Sequence, residues 1–473
     1  MSNFNNIVNM SASELVAQIK NKSLSAVEVM KAHLDQIAVI NPKVNAIITL
    51  DPELAINGAK LADEAITNGD ELGILHGLPI AHKDLVPTKG IRTTYGSPLY
   101  KDYVPDFISL IVDRIQGAGA ITIGKTNTPE FGAGSQTFNE VFGETLNPYN
   151  LDMTCGGSSG GAAVSLASRM LPIADGSDTG GSLRNPANYC NVVGFRPSPG
   201  RVPSYPNKVG WSPTSVQGPM ARNVSDCALL LAAMAGPDSR VPISLMDSGD
   251  VFLRSLSRDF SNVNIAWSPT LGGLPVDPDT LTTLESKLNV FEQIGCNVEQ
   301  IDPDFTDANE VFLRWRGLER VINQGDLLIN HRDSLKDSMI WDIEQGLKLS
   351  ASDIAWAETK RVEIFRRMEQ FMQKYEFLIC PVSQCPPFDI KQRWVTEING
   401  IKMDNYIDWM KSCYYITVTG HPAISVPCGF TDQGLPVGIQ IVGRYRDDFG
   451  VLQLAKAFEN ATEFWKTMPG ICQ

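Results

Sequence analysis

Two short clusters of glycine and serine lie close together in the stretch from Asp152 to Val202. The first cluster reads GGSSGG and contains Ser158 and Ser159, and the second reads GGS and ends at Ser182. Glycine lets a backbone turn sharply or approach a ligand closely. A serine in such a turn can act as a nucleophile, and neighbouring backbone N–H groups can stabilise the oxyanion that its attack creates. The pattern therefore favours acyl transfer to a serine.

Other interpretations of these clusters are a flexible loop and a phosphate-binding loop. The P-loop pattern ends in Gly-Lys-Ser/Thr, and neither cluster contains the lysine. The Gly-x-Ser-x-Gly elbow of many hydrolases is also missing, because Arg184 occupies the position of its closing glycine. Cys155, directly before the first cluster, is a rival nucleophile of lower rank.

A serine hydroxyl at neutral pH needs a base, which in most hydrolases is a histidine. No motif places a histidine of this chain in a Ser-His-Asp arrangement. The five histidines are His33, His76, His82, His331 and His421. A lysine is the other candidate base: Lys83 follows an apolar strand predicted for residues 79–82, and a lysine buried away from water has a lowered pKa. Because side chains alternate along a strand, we expect His82 to point away from Lys83.

The order of motifs along the chain resembles that of the amidase signature family of serine hydrolases. The segment GSDTGGSLRNPA around Ser182 follows the family pattern G-[ST]-D-T-G-G-S-[IL]-R-x-P-A, and GGSSGG precedes it as the family requires. Further matching segments are GLPIAHKD from Gly77, GKTNTPEF from Gly124, GHPAISVP from Gly420 and GLPVGIQ from Gly434. The matches extend over residues 76–443 and so cover most of the chain.

The resemblance implies a Ser-Ser-Lys mechanism. Ser182 would attack the carbonyl, Ser158 would relay the proton and Lys83 would accept it, with Ser159 as the alternative relay. For this role Lys83 must be neutral, so its pKa must fall from about 10.4 towards ~7–8. The resemblance also implies a cis peptide bond between Gly157 and Ser158.

The turn that ends at Ser182 is predicted to stabilise the oxyanion through backbone N–H groups, next to the start of a helix. The residues of this turn are Thr179, Gly180, Gly181 and Ser182. Asp178 and Arg184 flank the turn and are predicted to support it. Phe131 and Gly157 are the predicted substrate-binding residues, and Phe131 lies in the long loop 125–148, which lines the substrate cleft in the family.

Several residues near the site depart from the common family pattern. Asn185 replaces an aliphatic residue, Asn191 replaces a glycine, and Phe195–Ser198 reads FRPS in place of LKPT. These departures remove no predicted catalytic group. They weaken any transfer of substrate specificity from the family to this chain.

Composition limits the partners and cofactors. The chain has 473 residues, 43% of them hydrophobic, a net charge of −13 and a pI near 5.0. This acidic balance argues against a nucleic-acid or membrane partner, and the sequence has neither an apolar run of the roughly 18–20 residues that span a membrane nor a secretory signal. The nine cysteines form no Cys-x-x-Cys pair, so we predict no metal, no cofactor and a cytoplasmic location.

Secondary-structure signals predict an α/β fold. Capping boxes begin helices at Ser11 and Ser25, and strand–helix–strand patterns recur over residues 107–124 and 263–301. With the resemblance, these signals predict a single large domain over residues 1–473. Its mixed, twisted central sheet is expected to carry helices on both faces, with a helical segment, residues 1–70, packed on it.

The predicted activity is hydrolysis of a small carboxylic amide through a serine acyl-enzyme. The alternatives are a carbamate or ester hydrolase of the same family, a non-catalytic binding protein on the same fold, and the glutamine-hydrolysing A subunit of a tRNA-dependent amidotransferase. That subunit usually reads Lys-Asp-Asn where residues 83–85 of this chain read Lys-Asp-Leu. It also commonly has an acidic residue at the position of Met410. A homodimer is considered as an assembly.

Overall fold

The structure is a computed structural model that describes residues 2–472. Its helices are α1 Ser2–Asn9, α2 Ala12–Lys20, α3 Ala26–Val44, α4 Pro52–Asn68, α5 Leu110–Gly117, α6 Gly160–Ala167, α7 Arg184–Tyr189, α8 Val224–Met234, α9 Pro278–Glu285, α10 Leu288–Ile294, α11 Ala308–His331, α12 Asp337–Leu347, α13 Ala351–Lys374, α14 Lys411–Thr419 and α15 Asp448–Thr462.

The strands form one large sheet and several small ones. They are β1 Ile47–Leu50, β2 Pro79–Lys83, β3 Ile121–Thr126, β4 Phe138–Asn139, β5 Gly143–Glu144, β6 Leu146–Asn147, β7 Asn150–Thr154, β8 Ile173–Asp178, β9 Val193–Arg196, β10 Val216–Ala221, β11 Asn264–Trp267, β12 Asn297–Gln300, β13 Phe377–Pro381, β14 Glu397–Ile398, β15 Ile401–Lys402, β16 Ala423–Phe430 and β17 Pro436–Gly443.

The large sheet has the strand order β12-β11-β13-β17-β16-β9-β10-β8. Strands β12, β11 and β13 are parallel to one another, and the remaining pairs are antiparallel. Strands β16 and β17 are neighbours and pair along most of their length. The sheet is therefore mixed, as predicted.

Both faces of the large sheet are covered. Along β13, Phe377 and Ile379 belong to one hydrophobic core, whereas Leu378 and Cys380 belong to another. Because successive side chains of a strand point to opposite faces, the two cores lie on opposite sides of the sheet. Helices α8, α10 and α15 contribute to the first core, and α11, α13 and α14 contribute to the second. The predicted α/β architecture with helices on both faces is confirmed.

A second sheet, of strand order β1-β3-β2, brings Lys83 to the end of the large sheet. Lys83 is the last residue of β2, and β2 lies beside β8, the edge strand of the large sheet. The two edges are joined by a buried contact of 2.7 Å between His82 Nδ1 and Asp175 Oδ1. The candidate base therefore meets the signature segment where the two sheets approach each other.

The N-terminal helices begin where the capping boxes predict. Ser11 and Ser25 each accept a bond from the backbone of a glutamate three residues later, and each glutamate side chain accepts one from the serine N–H. Helix α3 continues past the predicted end near Pro42, because Asn45 in a left-handed conformation terminates it instead. Helix α2 packs on the rest of the fold, and Ala12 N donates to Asp226 Oδ2 at 2.8 Å.

Some predicted elements are wrong in detail. The loop expected over residues 125–148 contains the short strands β4, β5 and β6. The helix expected over residues 278–294 is interrupted between Glu285 and Leu288. Strands β8, β9 and β10 carried no clear signal, because they are short, contain glycine and are buried on both faces, so no alternation of polar and apolar residues marks them.

Candidate active site

Lys83 is buried among hydroxyl groups. Its Nζ donates to Ser158 Oγ at 2.7 Å, to Ser159 Oγ at 2.9 Å and to Ser177 Oγ at 3.0 Å. Burial lowers the pKa of this ammonium to about 7, although Asp175 and Asp178 act in the opposite direction. The ammonium form can make all three bonds. The lowered pKa favours loss of one proton, and the neutral amine that results can accept a proton from a serine.

His82 has partners other than the serines. Its Nδ1 contacts Asp175 Oδ1 and its Nε2 contacts Thr122 Oγ1 at 2.9 Å. Asp175 Oδ2 also accepts the backbone N–H of Lys83 at 3.3 Å. The two neighbouring residues thus contact different groups, as the alternation along β2 predicts, and the histidine helps to anchor the strand that carries the lysine.

The GGSSGG loop is fixed by hydrogen bonds to its backbone carbonyls. The bond between Gly157 and Ser158 is cis, as the resemblance implies. Ser135 Oγ donates to Gly157 O at 2.6 Å and Thr137 Oγ1 donates to Gly156 O at 2.9 Å. Helix α6 begins two residues after Ser158 and is buried along its whole length, which makes the loop a rigid support for the serine hydroxyl.

Ser182 lies in a tight turn between β8 and α7. The preceding Gly181 has φ +116°, and a Cβ at this position would lie 2.6 Å from Cys413 Cβ, so the turn requires glycine here. The carboxylate of Asp178 accepts Gly181 N at 2.9 Å and Leu183 N at 3.2 Å. Asp178 therefore closes the turn on both sides of Ser182.

The N–H groups of the predicted oxyanion turn differ in their partners. Gly181 N–H donates to Asp178 Oδ1 at 2.9 Å. Within residues 2–472, the N–H groups of Gly180 and Ser182 donate no bond to the protein. Thr179, which follows β8, contacts Ser215 through its side chain at 3.0 Å. The assignment of the turn to an oxyanion hole stays a prediction.

Asp178 is itself bound by two buried arginines. Arg184 Nε and Nη2 contact the two carboxylate oxygens at 3.0 and 2.9 Å, and Arg196 Nη1 contacts Oδ1 at 3.2 Å. Burial opposes ionisation, but the two guanidinium groups hold the pKa of Asp178 well below its usual range. Arg184 also donates to Gln440 Oε1 at 2.6 Å, which ties the turn to β17.

A cavity of about 300 Å³ opens over the serines. Ser158, Ser177, Thr179 and Ser182 line one of its sides. Phe131 lines it as well, with its ring stacked on Tyr95 at a centroid distance of 6.2 Å.

Two further observations concern the predicted site residues. Gly157, the other predicted substrate-binding residue, is not among the described residues that line the cavity, because its carbonyl faces Ser135 and its Cα faces Thr137. In the part of the chain that the structure describes, no hydrogen bond joins Ser158 Oγ to Ser182 Oγ. Both serines nevertheless face the same cavity.

Cys155, His33 and His421 are not among the described residues that line the cavity. Burial raises the pKa of the Cys155 thiol to about 12, and its Sγ contacts Thr145 O at 3.3 Å. Burial lowers the pKa of His33 to about 3 and that of His421 to about 4. Among the described residues, no cluster of histidine, cysteine, aspartate or glutamate could bind a metal ion. Nor is any helix in residues 2–472 long and apolar enough to cross a membrane.

Sequence reasoning missed two groups at the cavity. Ser177 stands in the motif GSDTGGS, but the motif alone assigned no role to its hydroxyl, which contacts Lys83 Nζ. The other group is a polar stripe on α11, spaced at three and four residues, which a helical plot of the sequence would have shown. Its members are Arg316, Glu319, Arg320, Asn323 and Gln324.

The departures from the family pattern have visible contacts. Arg196 replaces a lysine and binds Asp178. Asn185 Oδ1 accepts from Ser383 Oγ at 2.9 Å, and Asn191 Nδ2 donates to Phe464 O at 2.8 Å. Within residues 2–472, none of these three residues lines the cavity.

Comparison with known proteins gives a consistent result. The family model described as Amidase matches residues 28–452. An acylamidase of Rhodococcus erythropolis is 34% identical over 455 residues, which cover 95% of each chain. The A subunit of the glutamyl-tRNA(Gln) amidotransferase of Bacillus velezensis is 33% identical, over 96% of this chain and 98% of its own.

A solved structure agrees with these sequence relatives. It is a bacterial aryl acylamidase described as belonging to the amidase signature enzymes family. The two folds superpose with a TM-score of 0.90 at 30% identity, over 96% of this chain and 97% of that one. The similarity therefore includes the N-terminal helices and the long C-terminal half, as well as the signature segment.

Proposed function

Because the chain belongs to the amidase signature family, we propose that it hydrolyses a small carboxylic amide through Lys83, Ser158 and Ser182. The observation that carries this proposal is the buried Lys83 Nζ, 2.7 Å from Ser158 Oγ, in a cavity that Ser182 also lines. A neutral lysine beside a serine hydroxyl is a base that needs no histidine. The lowered pKa of Lys83 supports this role.

In the proposed acylation, Ser182 Oγ forms a bond to the amide carbon while its proton passes to Ser158 and the Ser158 proton passes to Lys83. The carbonyl electron pair moves to oxygen, where backbone N–H groups of the turn stabilise the charge. When the tetrahedral intermediate collapses, the C–N bond breaks and the amine leaves with the proton from Lys83. Water then attacks the acyl carbon while its proton passes through Ser158 to Lys83. Collapse of this second intermediate breaks the bond to Ser182 Oγ, which takes the proton back as the carboxylic acid is released.

Ser158 is the preferred relay for a geometric reason. Both Ser158 and Ser159 accept a bond from Lys83 Nζ, so distance does not separate them. Ser158 lines the cavity, whereas Ser159 belongs to the fully buried start of α6. A relay must reach the nucleophile on the cavity side, which supports Ser158.

Glutamine hydrolysis within an amidotransferase is the second candidate, and the relative from Bacillus velezensis favours it. Two side chains near the site speak against it. Leu85 lines the cavity in place of the amide side chain expected in that group. Met410 lies beside the turn, with its Cε 3.6 Å from the position of a Cβ on Gly180, where an acidic residue is expected. Apolar groups at both positions suit an uncharged amide better than the ammonium group of glutamine.

The test is a substrate panel with the purified chain alone. A small amide, an anilide, an ester, a carbamate and glutamine are compared, each with the Ser182→Ala variant as the control. We expect turnover of the amide or the anilide, loss of that turnover in Ser182→Ala, and little hydrolysis of glutamine. A preference for the ester or the carbamate would move the proposal to those substrates, and glutamine hydrolysis would favour the amidotransferase role.

The remaining expectations stay predictions. They are a cytoplasmic location, a small-molecule substrate with no nucleic-acid or membrane partner, a homodimer as the candidate assembly, and activity without a metal or cofactor. The prediction that residues 1–473 form one domain, with residues 1–70 packed on it, also stays a prediction. Met1 and Gln473 lie outside the described residues. Dialysis against a chelator should leave the rate unchanged.

A further inference from the structure

One helix face forms the wall of the cavity that is not built from the signature segment. The residues of α11 that line the cavity are spaced at three and four positions, so they form one stripe about 12 Å long. A helix face turned toward the protein interior is usually apolar, but every member of this stripe is polar. The stripe consists of Arg316, Glu319, Arg320, Asn323 and Gln324.

The two arginines of the stripe share a single carboxylate. Arg316 binds both oxygens of Asp342, at 3.1 and 2.8 Å, and Arg320 Nε lies 3.4 Å from Asp342 Oδ2. The same Oδ2 also accepts the Tyr406 hydroxyl at 2.7 Å. The charge of Asp342 is therefore divided between two guanidinium groups and a tyrosine hydroxyl.

Each arginine keeps donors without a protein acceptor. Arg320 Nη1 donates to Phe131 O at 3.0 Å, but within residues 2–472 neither Arg320 Nη2 nor Arg316 Nη1 donates to the protein. Both side chains are nearly buried, with exposures of 14% and 8%. Both residues line the cavity, so these N–H groups are available to an acceptor that enters it.

The neighbouring carboxylate of the stripe is already engaged. Glu319 accepts a hydrogen bond from the Ser212 hydroxyl, and burial raises the pKa of its carboxyl group, which disfavours the charged form. At the end of the stripe, Gln324 Oε1 is buried without a partner among the described residues. The wall therefore has an excess of cationic donors over free acceptors.

We propose that Arg320 and Arg316 form a subsite for a carboxylate on the part of the substrate remote from the scissile amide. This inference rests on the proposed hydrolysis at Ser182 and adds the substrate class: amides that carry an acid group at their far end. Arginine suits this role because its planar donors match the two oxygens of a carboxylate. Phe131, between the two walls, would contact the apolar chain that joins them.

The test compares two anilides that differ only at the far end of the acyl chain. They are the 4-nitroanilides of pentanoic acid, which is neutral there, and of glutaric acid, which carries a carboxylate there. We expect kcat/KM to favour the glutaryl substrate by at least about tenfold, the effect of one charge-assisted hydrogen bond. In Arg320→Met this ratio should fall to about one or below, and Arg320→Lys should retain part of it.

The ratio of kcat/KM for the glutaryl substrate to that for the pentanoyl substrate distinguishes two roles of Arg320. One role is binding of the substrate carboxylate, and the other is the hydrogen bond that holds Phe131 in place. Loss of the bond from Arg320 to Phe131 O would change both rates together, whereas loss of a carboxylate site changes only the glutaryl rate. Arg314→Met is the matched control, because Arg314 lies on the same helix but pairs with Glu310 outside the cavity. It should leave the ratio unchanged. An equal fall of both rates in Arg320→Met, or a wild-type preference for the pentanoyl substrate, would overturn the inference.

A second measurement does not depend on turnover. Calorimetry on the Ser182→Ala variant, which lacks the proposed nucleophile, compares binding of 4-carbamoylbutanoate with that of pentanamide, and we expect the carboxylate compound to bind more tightly to Ser182→Ala but not to the double variant Ser182→Ala/Arg320→Met. Equal or weaker binding would refute the subsite. A failure of the proposed function gives a different result, because turnover would then survive in Ser182→Ala whichever anilide is preferred.

Discussion

The two walls of the cavity are built in opposite ways. On the wall of β8 and α7, every charged group has its partners: Asp178 is bound by two arginines, and Lys83 contacts three hydroxyls. On the wall of α11, two arginines share Asp342 and keep donors unpaired. The first wall needs no ligand to pair its charged side chains and, within residues 2–472, leaves backbone N–H groups of the turn free, which suits chemistry that is the same for every substrate. The second is incomplete without one, as expected of a surface that recognises a particular substrate.

The largest expected effect concerns Lys83. Lys83→Met should lower kcat/KM by about 10³-fold or more, because it removes the base from a group of residues that act together. In the wild type, kcat/KM should rise with pH through about 7 and then level off, since the protonated lysine present below its pKa is inactive.

The control is thermal stability measured on the same variant, together with the double variant Lys83→Met/Ser158→Ala. The double variant should be scarcely slower than either single one. A purely structural lysine would give the opposite pattern: a loss of stability with a near-normal rate in the folded fraction.

The next effect concerns the support of the catalytic wall. Asp178→Asn leaves the buried Arg184 and Arg196 without their counter-ion, and breaking a buried pair in this way costs about 3–5 kcal/mol. Denaturant unfolding measures the change. Asp238→Asn is the matched control, because Asp238 pairs with an arginine at the surface, and its change should be much smaller. Equal losses in the two variants would show that Asp178 does not anchor the turn.

The smallest expected effect concerns Phe131, which lies between the two walls. Phe131→Ala widens the cavity, so the ratio of kcat/KM for a bulky anilide to that for a small amide should rise by about threefold to tenfold. The rate with the small amide should change little. Phe142→Ala, whose ring contacts Arg92 outside the cavity, is the control. An unchanged ratio in Phe131→Ala would remove Phe131 from the substrate-binding residues.

The sequence was most informative where chemistry depends on short segments. Ser158, Ser182 and Lys83 each stand in a short motif of the family, so the resemblance implied that they meet at one site before the fold was known. The hydrogen bond from Gly181 N to Asp178 could not be predicted. While the conformation of the turn is unknown, the partner of each backbone N–H group in it is unknown too. The placement of Gly157 could not be predicted for a similar reason, since its carbonyl accepts a bond from Ser135, more than twenty residues away.

The arginines of the α11 wall could not be predicted from sequence motifs. Arg316 and Arg320 lie far along the chain from the signature segment, in a helix that carries no motif of the family. Only the packing of α11 against the second face of the sheet brings them to the cavity. Which residues reach the cavity through such long-range packing depends on the whole fold. A single sequence therefore does not indicate which of the many arginines line the cavity.

The most direct test of the catalytic proposal is detection of the acyl-enzyme. The protein is mixed with an anilide that it hydrolyses, and the reaction is quenched in acid within one turnover. The protein is then digested and its peptides are examined by mass spectrometry. We expect the mass of the acyl group on the peptide that contains Ser182, and no such mass in Ser182→Ala. A stable acyl group on any other residue, or undiminished turnover in Ser182→Ala, would contradict the proposal that Ser182 is the nucleophile.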